Sequence, residues 1–331
     1  MIRIIILATL TLALMCANIF FGAIDIPADD VWGILSGNTH GDEALEYIVL
    51  GSRVPQAVTA LLAGAGLAAS GLMLQTVFRN PLAGPSILGI TSGASLGVAL
   101  VILFFSGMIS IGAESLGGNI AVTVGALAGS FIVMGMLIML SARIRSNLTL
   151  LIAGMMTGYL ASSLVTLLSS LSTAEGIQNF VMWGMGTFSG VSADRLPWFA
   201  LLSAIGLLMS MLLAKPLNLL LLGDSYAANL GVDVKRVRHM LLIATGLLSA
   251  VITACCGPIG FIGLAMPHIA RIIFRTDDHL LLMPATMLCG AILALGCNLI
   301  SVLPDGNIIP INALTPLAGV PVVLYVILKK K

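Results

Sequence analysis

Long apolar runs separated by short polar stretches dominate this chain. The runs are continuously apolar, without the two-residue alternation of a barrel strand, so they predict helices. Hydropathy and chain breakers place ten membrane spans, near residues 4–24, 55–74, 87–105, 119–140, 149–170, 197–214, 240–257, 260–275, 281–302 and 310–328. The eighth is short, and its boundary with the seventh falls in an unusual run, residues 257–271. Three glycines and two prolines sit there in sequence as apolar as a membrane helix. A lipid-facing helix seldom concentrates such breakers, because freed backbone groups find no water in hydrocarbon. The run therefore predicts a segment enclosed by protein or by a water-filled path, in a polytopic protein with a working interior.

Composition narrows the class. Of 331 residues, 59% are hydrophobic and 9% charged, with mean hydropathy +1.11. A soluble domain carries roughly 25% charged residues, so a water-soluble fold is excluded. At about 20 residues per span the spans fill the chain, which reads as a single transmembrane domain over residues 1–331. The net charge of +1 gives no reason to propose nucleic-acid binding. The five cysteines (Cys16, Cys255, Cys256, Cys289 and Cys297) lie in or beside apolar runs and lack a CxxC pair. They read as small buried hydrophobes, without a disulfide framework or zinc site. Arg3 followed by an apolar run to about Gly22 imitates a signal peptide, and Leu14-Met15-Cys16 weakly imitates a lipoprotein signal. The run is long for a signal core and no clean small-x-small site follows, so residues 4–24 are read as the first span.

Charge sets the expected orientation. With the N-terminus inside, the inner set comprises Arg3, Arg79, Arg143, Arg145, Lys215, Lys235, Arg236, Arg238, Arg271, Arg275, Lys329, Lys330 and Lys331. Of the 15 Lys and Arg, only Arg53 and Arg195 remain outside. This bias predicts both termini on the cytoplasmic side. Asp25, Asp29, Asp30, Asp42, Glu43 and Glu46 gather in the first external loop, as a polar outer rim.

The second dense region is residues 53–97. Arg53-Val54-Pro55 precedes a glycine-rich helix, followed by Asn80-Pro81-Leu82-Ala83-Gly84-Pro85 and Leu88-Gly89-Ile90-Thr91-Ser92-Gly93-Ala94. Pro81 and Pro85 lack an amide donor and restrict their predecessors, which forces a non-helical inner loop. Small residues at Gly89, Ser92, Gly93 and Gly97 let the next helix approach a neighbour closely.

These motifs resemble the iron-siderophore, haem and cobalamin permeases of ABC importers (the FecCD/BtuC-like family). The resemblance extends through Trp183-Gly-Met-Gly-x-Phe-Ser-Gly190, Gly223-Asp-Ser-Tyr-Ala-Ala-x-Leu-Gly231 and the run from Gly257 to Arg271. Pro310-Ile311 and Gly319-Val320-Pro321 close it. It implies an all-α permease of ten helices, working as a homodimer with substrate passing along the subunit interface. It also implies two cytoplasmic ATPase subunits carrying ATP and Mg, and an external, periplasmic binding protein. The location implied is the bacterial inner membrane, in contact with lipid. No cofactor is expected on the chain itself.

Site residues follow from the same resemblance. The inner gate maps to Asn80, Pro81 and Leu82, with Ser146 and Asn147 between the fourth and fifth spans. The ATPase contact maps to Gly223, Asp224, Ala227, Ala228, Leu230 and Gly231, ahead of Lys235, Arg236 and Arg238. Gly231 can end a short helix with φ > 0. Those three cations are also what positive-inside retention requires. External docking maps to Arg53. The chain departs from the pattern at Gln56, commonly arginine, and at Asn298, usually aspartate. It also lacks the basic residue expected near Val302 and Leu303.

Other chemical signals are discounted. Gly64-Ala65-Gly66-Leu67-Ala68-Ala69 fits a loose dinucleotide pattern but lies within an apolar helix, with no preceding strand. No GxxxxGK[ST] occurs, so the chain is no ATPase and must borrow one. His40, His239, His268 and His279 lack metal-ligand spacing, and the 17 methionines read as flexible packing. Asp29-Asp30 and Asp277-Asp278 read as solvated loop carboxylates. The alternative transport class is an ion-gradient-driven secondary transporter, which needs ionisable residues at mid-span. An intramembrane enzyme needs a convergent set such as His-Glu-x-x-His, which is absent.

Overall fold

The computed structural model describes residues 2–37, 42–105, 116–144, 146–302 and 309–329. Of the residues named above, His40, Arg145, Leu303, Lys330 and Lys331 lie outside the described residues.

Among the described residues all regular structure is helical. The first third contains α1 (Ile2–Phe20), α2 (Ala28–Leu35), α3 (Glu43–Glu46), a π-helical stretch at Tyr47–Arg53 and α4 (Val54–Phe78). Next come α5 (Ile90–Ala99), π-helical Leu100–Phe105, α6 (Leu116–Arg143), α7 (Asn147–Ser170) and α8 (Ala174–Gly184). The remainder is α9 (Leu196–Leu212), α10 (Ala214–Leu221), α11 (Asp224–Asn229), α12 (Val234–Cys256), α13 (Ile262–Phe274), α14 (His279–Val302) and α15 (Ile311–Lys329). Six helices are long and apolar enough to cross a membrane alone, and α9 with α10 makes a seventh, bent by 44°. Three shorter apolar helices, Ile90–Phe104, Ile262–Phe274 and Ile311–Tyr325, occupy the other apolar runs. Every predicted run is thus helical, though only six or seven have the length to span independently.

The core is built around α4, which is buried along most of its length and packs on α9, α12, α13 and α14. Its small residues explain how one helix meets so many neighbours. A Cβ on Gly71 would lie 1.7 Å from the Gly263 carbonyl oxygen of α13, and one on Gly64 2.3 Å from the Gly290 carbonyl oxygen of α14. The α5–α6 contact repeats the device: a Cβ on Gly97 would lie 1.9 Å from the Gly125 oxygen, and one on Gly129 2.0 Å from the Gly93 oxygen. Lipid tails are as apolar as leucine, so association between membrane helices depends on close packing of this kind. By contrast few residues of α1, α6 and α7 are buried, and their outward positions, such as Leu12, Ile132 and Leu160, are apolar.

The glycine- and proline-rich run forms the break between α12 and α13. Gly257 ends α12 with φ +76°, and Phe261 opens α13 with φ +65°. The polar groups released by the break are not left bare. Asn312, at the start of α15, donates from its amide to the carbonyls of Pro258 and Gly184, each at 2.8 Å, and its Oδ1 accepts the Gly260 N–H at 3.3 Å. Thr187 N–H completes the set on the Cys256 carbonyl at 2.9 Å. One side chain therefore ties the break to the ends of α8 and α15, where unsatisfied backbone groups cost several kcal/mol each.

Gly71→Leu is expected to lose the folded state: the opposing atoms are backbone, and overpacking costs about 1–3 kcal/mol or more. Gly135→Ala, where a Cβ meets nothing within 4 Å, is expected to leave it unchanged. Gel filtration and thermal melting in detergent compare the two.

Candidate functional site: a junction of loops on the basic face

The end of α4 is closed by two bonds. Asn80 N–H reaches the Gln75 carbonyl at 3.2 Å and Arg79 N–H the Thr76 carbonyl at 3.3 Å, with Arg79 left-handed at φ 46°. This is a Schellman closure, which usually places glycine where Arg79 stands. A tight turn follows directly. The Asn80 carboxamide oxygen accepts the Leu82 N–H at 2.9 Å, and its carbonyl accepts the Ala83 N–H at 3.0 Å. Pro81 takes the second position of that turn, for which its fixed φ is suited. Leu82 stands at the tip, 41% exposed.

His268 of α13 holds the turn in place. Its Nε2 lies 2.8 Å from the Pro81 carbonyl oxygen, and a carbonyl only accepts, so Nε2 carries the proton. Gln75 braces the same corner by donating to the Leu264 carbonyl at 3.1 Å and accepting from Arg271 at 2.8 Å. Arg271 also pairs with Asp277 at 3.3 Å. Gln75, Arg79, Pro81, His268, Arg271 and Asp277 line a cleft of about 520 Å³, predominantly cationic. Among the described residues no group of three or more His, Cys, Asp or Glu is placed to hold a metal ion.

Ser146 caps α7, its hydroxyl accepting the Thr149 N–H at 3.3 Å. Asn147 reaches across instead, donating to the Val77 carbonyl of α4 at 2.8 Å. Its own Oδ1 is buried without a protein partner among the described residues. Both gate segments read from the sequence thus meet at one helix end.

The third loop arrives at the same place. Gly223 (φ +114°) and Gly231 (φ +87°) bracket α11 with backbone that other residues rarely adopt. Ala227 is buried, whereas Ala228, Leu230 and Tyr226 face outward with Leu222. Asp224 pairs with Arg79 at 3.0 Å and with Arg238 of α12 at 3.3 Å. Asn218 in α10 anchors the loop from behind, bonding Asp278 and accepting the His279 N–H at 2.7 Å. The Asn218 amide, with the Leu280 N–H, holds the Asp278 carboxyl below its ordinary pKa. Lys235 and Arg236 have no part in this junction, but Arg238 is buried within it.

Arg53, to which the resemblance maps external docking, lies elsewhere in the fold. Arg53 is only 5% exposed. Its guanidinium donates to the carbonyls of Ile19 at 3.1 Å, Phe20 at 2.9 Å and Ile24. The end of α1 leaves carbonyls that attract a cation, so Arg53 joins α1 to α4. Gln56 and Asn298 prove to be neighbours: the Gln56 amide donates to Asn298 Oδ1 at 3.0 Å, and Asn298 donates to Asn18 Oδ1 at 2.7 Å. Two positions at which the chain departs from the resembled pattern therefore lie side by side, as a hydrogen-bonded pair of neutral amides.

Sequence reasoning missed Gln75, Arg79, Asn218 and Asn312. Each is a polar residue at the edge of an apolar run, the one signal that could have flagged it.

An all-helical polytopic membrane domain whose breaks and loops are sealed by buried polar bonds, with three loops meeting at one end, defines a membrane transport subunit. Residues 10–329 match the FecCD transport family, and the chain belongs to that family. It is 35% identical over 280 residues to the vitamin B12 import system permease protein BtuC of Klebsiella pneumoniae, covering 84% of this chain and 82% of the relative. The BtuC of Salmonella typhi is 35% identical over 285 residues, covering 86% and 84%. Among solved structures, an inward-facing metal-chelate type ABC transporter superposes with TM-score 0.84 at 30% identity, covering 99% of each chain.

His268→Leu is expected to free the Pro81 carbonyl while leaving the helices intact. Loss of one such bond, about 1 kcal/mol, speeds amide exchange at Leu82 and Ala83 by roughly 5- to 10-fold, measured by hydrogen–deuterium exchange.

Proposed function

We propose that this chain is the permease subunit of an ATP-driven importer for a bulky metal chelate, with a cobalamin-type corrinoid as the first candidate. Its relatives named as vitamin B12 import permeases, and its solved metal-chelate neighbour, support that ligand class. The observation that carries the mechanism is the meeting of residues 79–83, Asn147 and residues 223–231 around the end of α4. Ten helices cross the inner membrane, with both termini and the basic face cytoplasmic. Two copies assemble, and the chelate passes between them.

On this reading an external binding protein delivers the chelate to the opposite face. Asn80, Pro81 and Leu82, with Ser146 and Asn147, close the inner end of the path. Leu82, exposed at the tip of a braced turn, is placed to meet its counterpart in the second copy. Gly223, Asp224, Ala228, Leu230 and Gly231 form the seat for one of two cytoplasmic ATPases, while Ala227 fastens that seat to the permease. ATP and Mg reside on those partners. The exposed apolar side chains of Leu222, Tyr226 and Leu230 are unusual on a water-facing loop, and a protein partner accounts for them.

Uptake into proteoliposomes containing the permease, its ATPase and its binding protein tests the proposal, with cyanocobalamin, haem and a ferric siderophore as cargo. ATP-dependent accumulation of one of them is expected. Accumulation without any ATPase that collapses with the proton gradient would establish the secondary-transporter alternative. Asn80→Arg with Leu82→Glu is expected to abolish coupled uptake in a correctly inserted protein, and normal uptake by this double variant counts against the gate. Gly231→Pro is expected to abolish co-purification of the ATPase, because proline fixes φ near −65° where the loop needs +87°. Intact co-purification refutes that seat.

A further inference from the structure

We infer that Arg79 and Asp224 form a charge bridge through which the ATPase seat positions the gate turn, a role that rests on the importer reading above. The two residues are 145 positions apart in sequence, yet Arg79 Nη2 lies 3.0 Å from Asp224 Oδ1. Arg79 is the residue immediately before Asn80, in the left-handed position that turns the chain out of α4. Asp224 opens α11, the short helix of the ATPase seat. No other ion pair among the described residues joins these two loops.

The bridge has one fixed end and one movable end. Asp224 Oδ2 is held by Arg238, whose side chain is 8% exposed and set in the long helix α12. Its other oxygen holds Arg79, whose side chain is 53% exposed. A displacement of α11 therefore pulls on a side chain whose backbone is the hinge of the 80–83 turn. His268 resists from the other side through the Pro81 carbonyl. The turn is held between a permease helix that stays packed and a loop that a partner can shift.

The same geometry separates this role from plain stabilisation. A half-exposed pair contributes little to folding, so removing the Arg79 side chain leaves the permease folded and the seat intact.

Arg79→Leu, Asp224→Asn and the double variant form a cycle, assayed in the reconstituted importer for ATPase co-purification, chelate uptake and chelate moved per ATP hydrolysed. Each single change is expected to lower the transport-to-hydrolysis ratio about 5-fold, the size of a roughly 1 kcal/mol coupling, and Arg79→Leu, which lies outside the ATPase seat, is expected to keep co-purification. The double variant is expected to fall no further than either single, as for two residues acting through one contact. Arg79→Lys is expected to recover most of the ratio. Losses that multiply in the double variant, or an unchanged ratio in Arg79→Leu, overturn the bridge while the importer reading stands. Failure of the unaltered chain to bind the ATPase or to use ATP overturns the importer reading itself, and the bridge's role with it.

Discussion

Backbone contact between α4 and its neighbours is the constraint on which the rest of this structure depends. In hydrocarbon, burying leucine against leucine gains little over leaving it in lipid, so helices must associate through close approach. Gly64 and Gly71 bring α4 against the main chains of α14 and α13. That contact helps position the end of α4, where the 80–83 turn, Asn147 and α11 converge. A side chain at Gly71 would therefore disturb the site from about two turns away, without touching any residue within it.

Around this rigid centre, polar side chains perform two distinct tasks. Some seal backbone that cannot remain bare at membrane depth: Asn312 at the α12–α13 break, Arg53 at the end of α1, Gln75 against α13. They hold helix ends and neighbouring helices together, which makes them parts of the scaffold. Others link one loop to another at the basic face: His268 to Pro81, Asn147 to Val77, Asp224 to Arg79. These join segments far apart in sequence. The first group gives the permease its shape, and the second ties its loops together at the basic face.

Arg53 shows what a motif leaves open about location. Arg-x-Pro at the start of a span suggests an exposed cation on the outer face, and the resemblance assigned it to docking. The π-helical stretch Tyr47–Arg53 carries it inward, beneath the carbonyl end of α1. Gln56 and Asn298 carry the complementary lesson. Read separately they were two missing charges, whereas in space they are one hydrogen-bonded pair. His268 was discounted as a ligand because it lacked companions at metal spacing, and its actual partner is a carbonyl nearly two hundred positions away.

Much of the molecule follows from local pattern. Continuous apolar runs specify helices, clustered prolines specify the loop after Arg79, and the glycines at 223, 231 and 257 mark backbone with positive φ. Each of these depends on a few adjacent residues, which is why a linear reading finds them. Helix lengths were less legible: α4 continues back to Glu43 through polar sequence, and α9 bends into α10 instead of stopping. The functional junction was legible only as three separate loops. Their meeting at the end of α4, the burial of Arg53 and Ala227, and the pairing of Arg79 with Asp224 are decided by which helix faces touch. Hydropathy carries no such information, because a lipid-facing surface and a protein-facing surface are equally apolar, and only the packing of small residues distinguishes them.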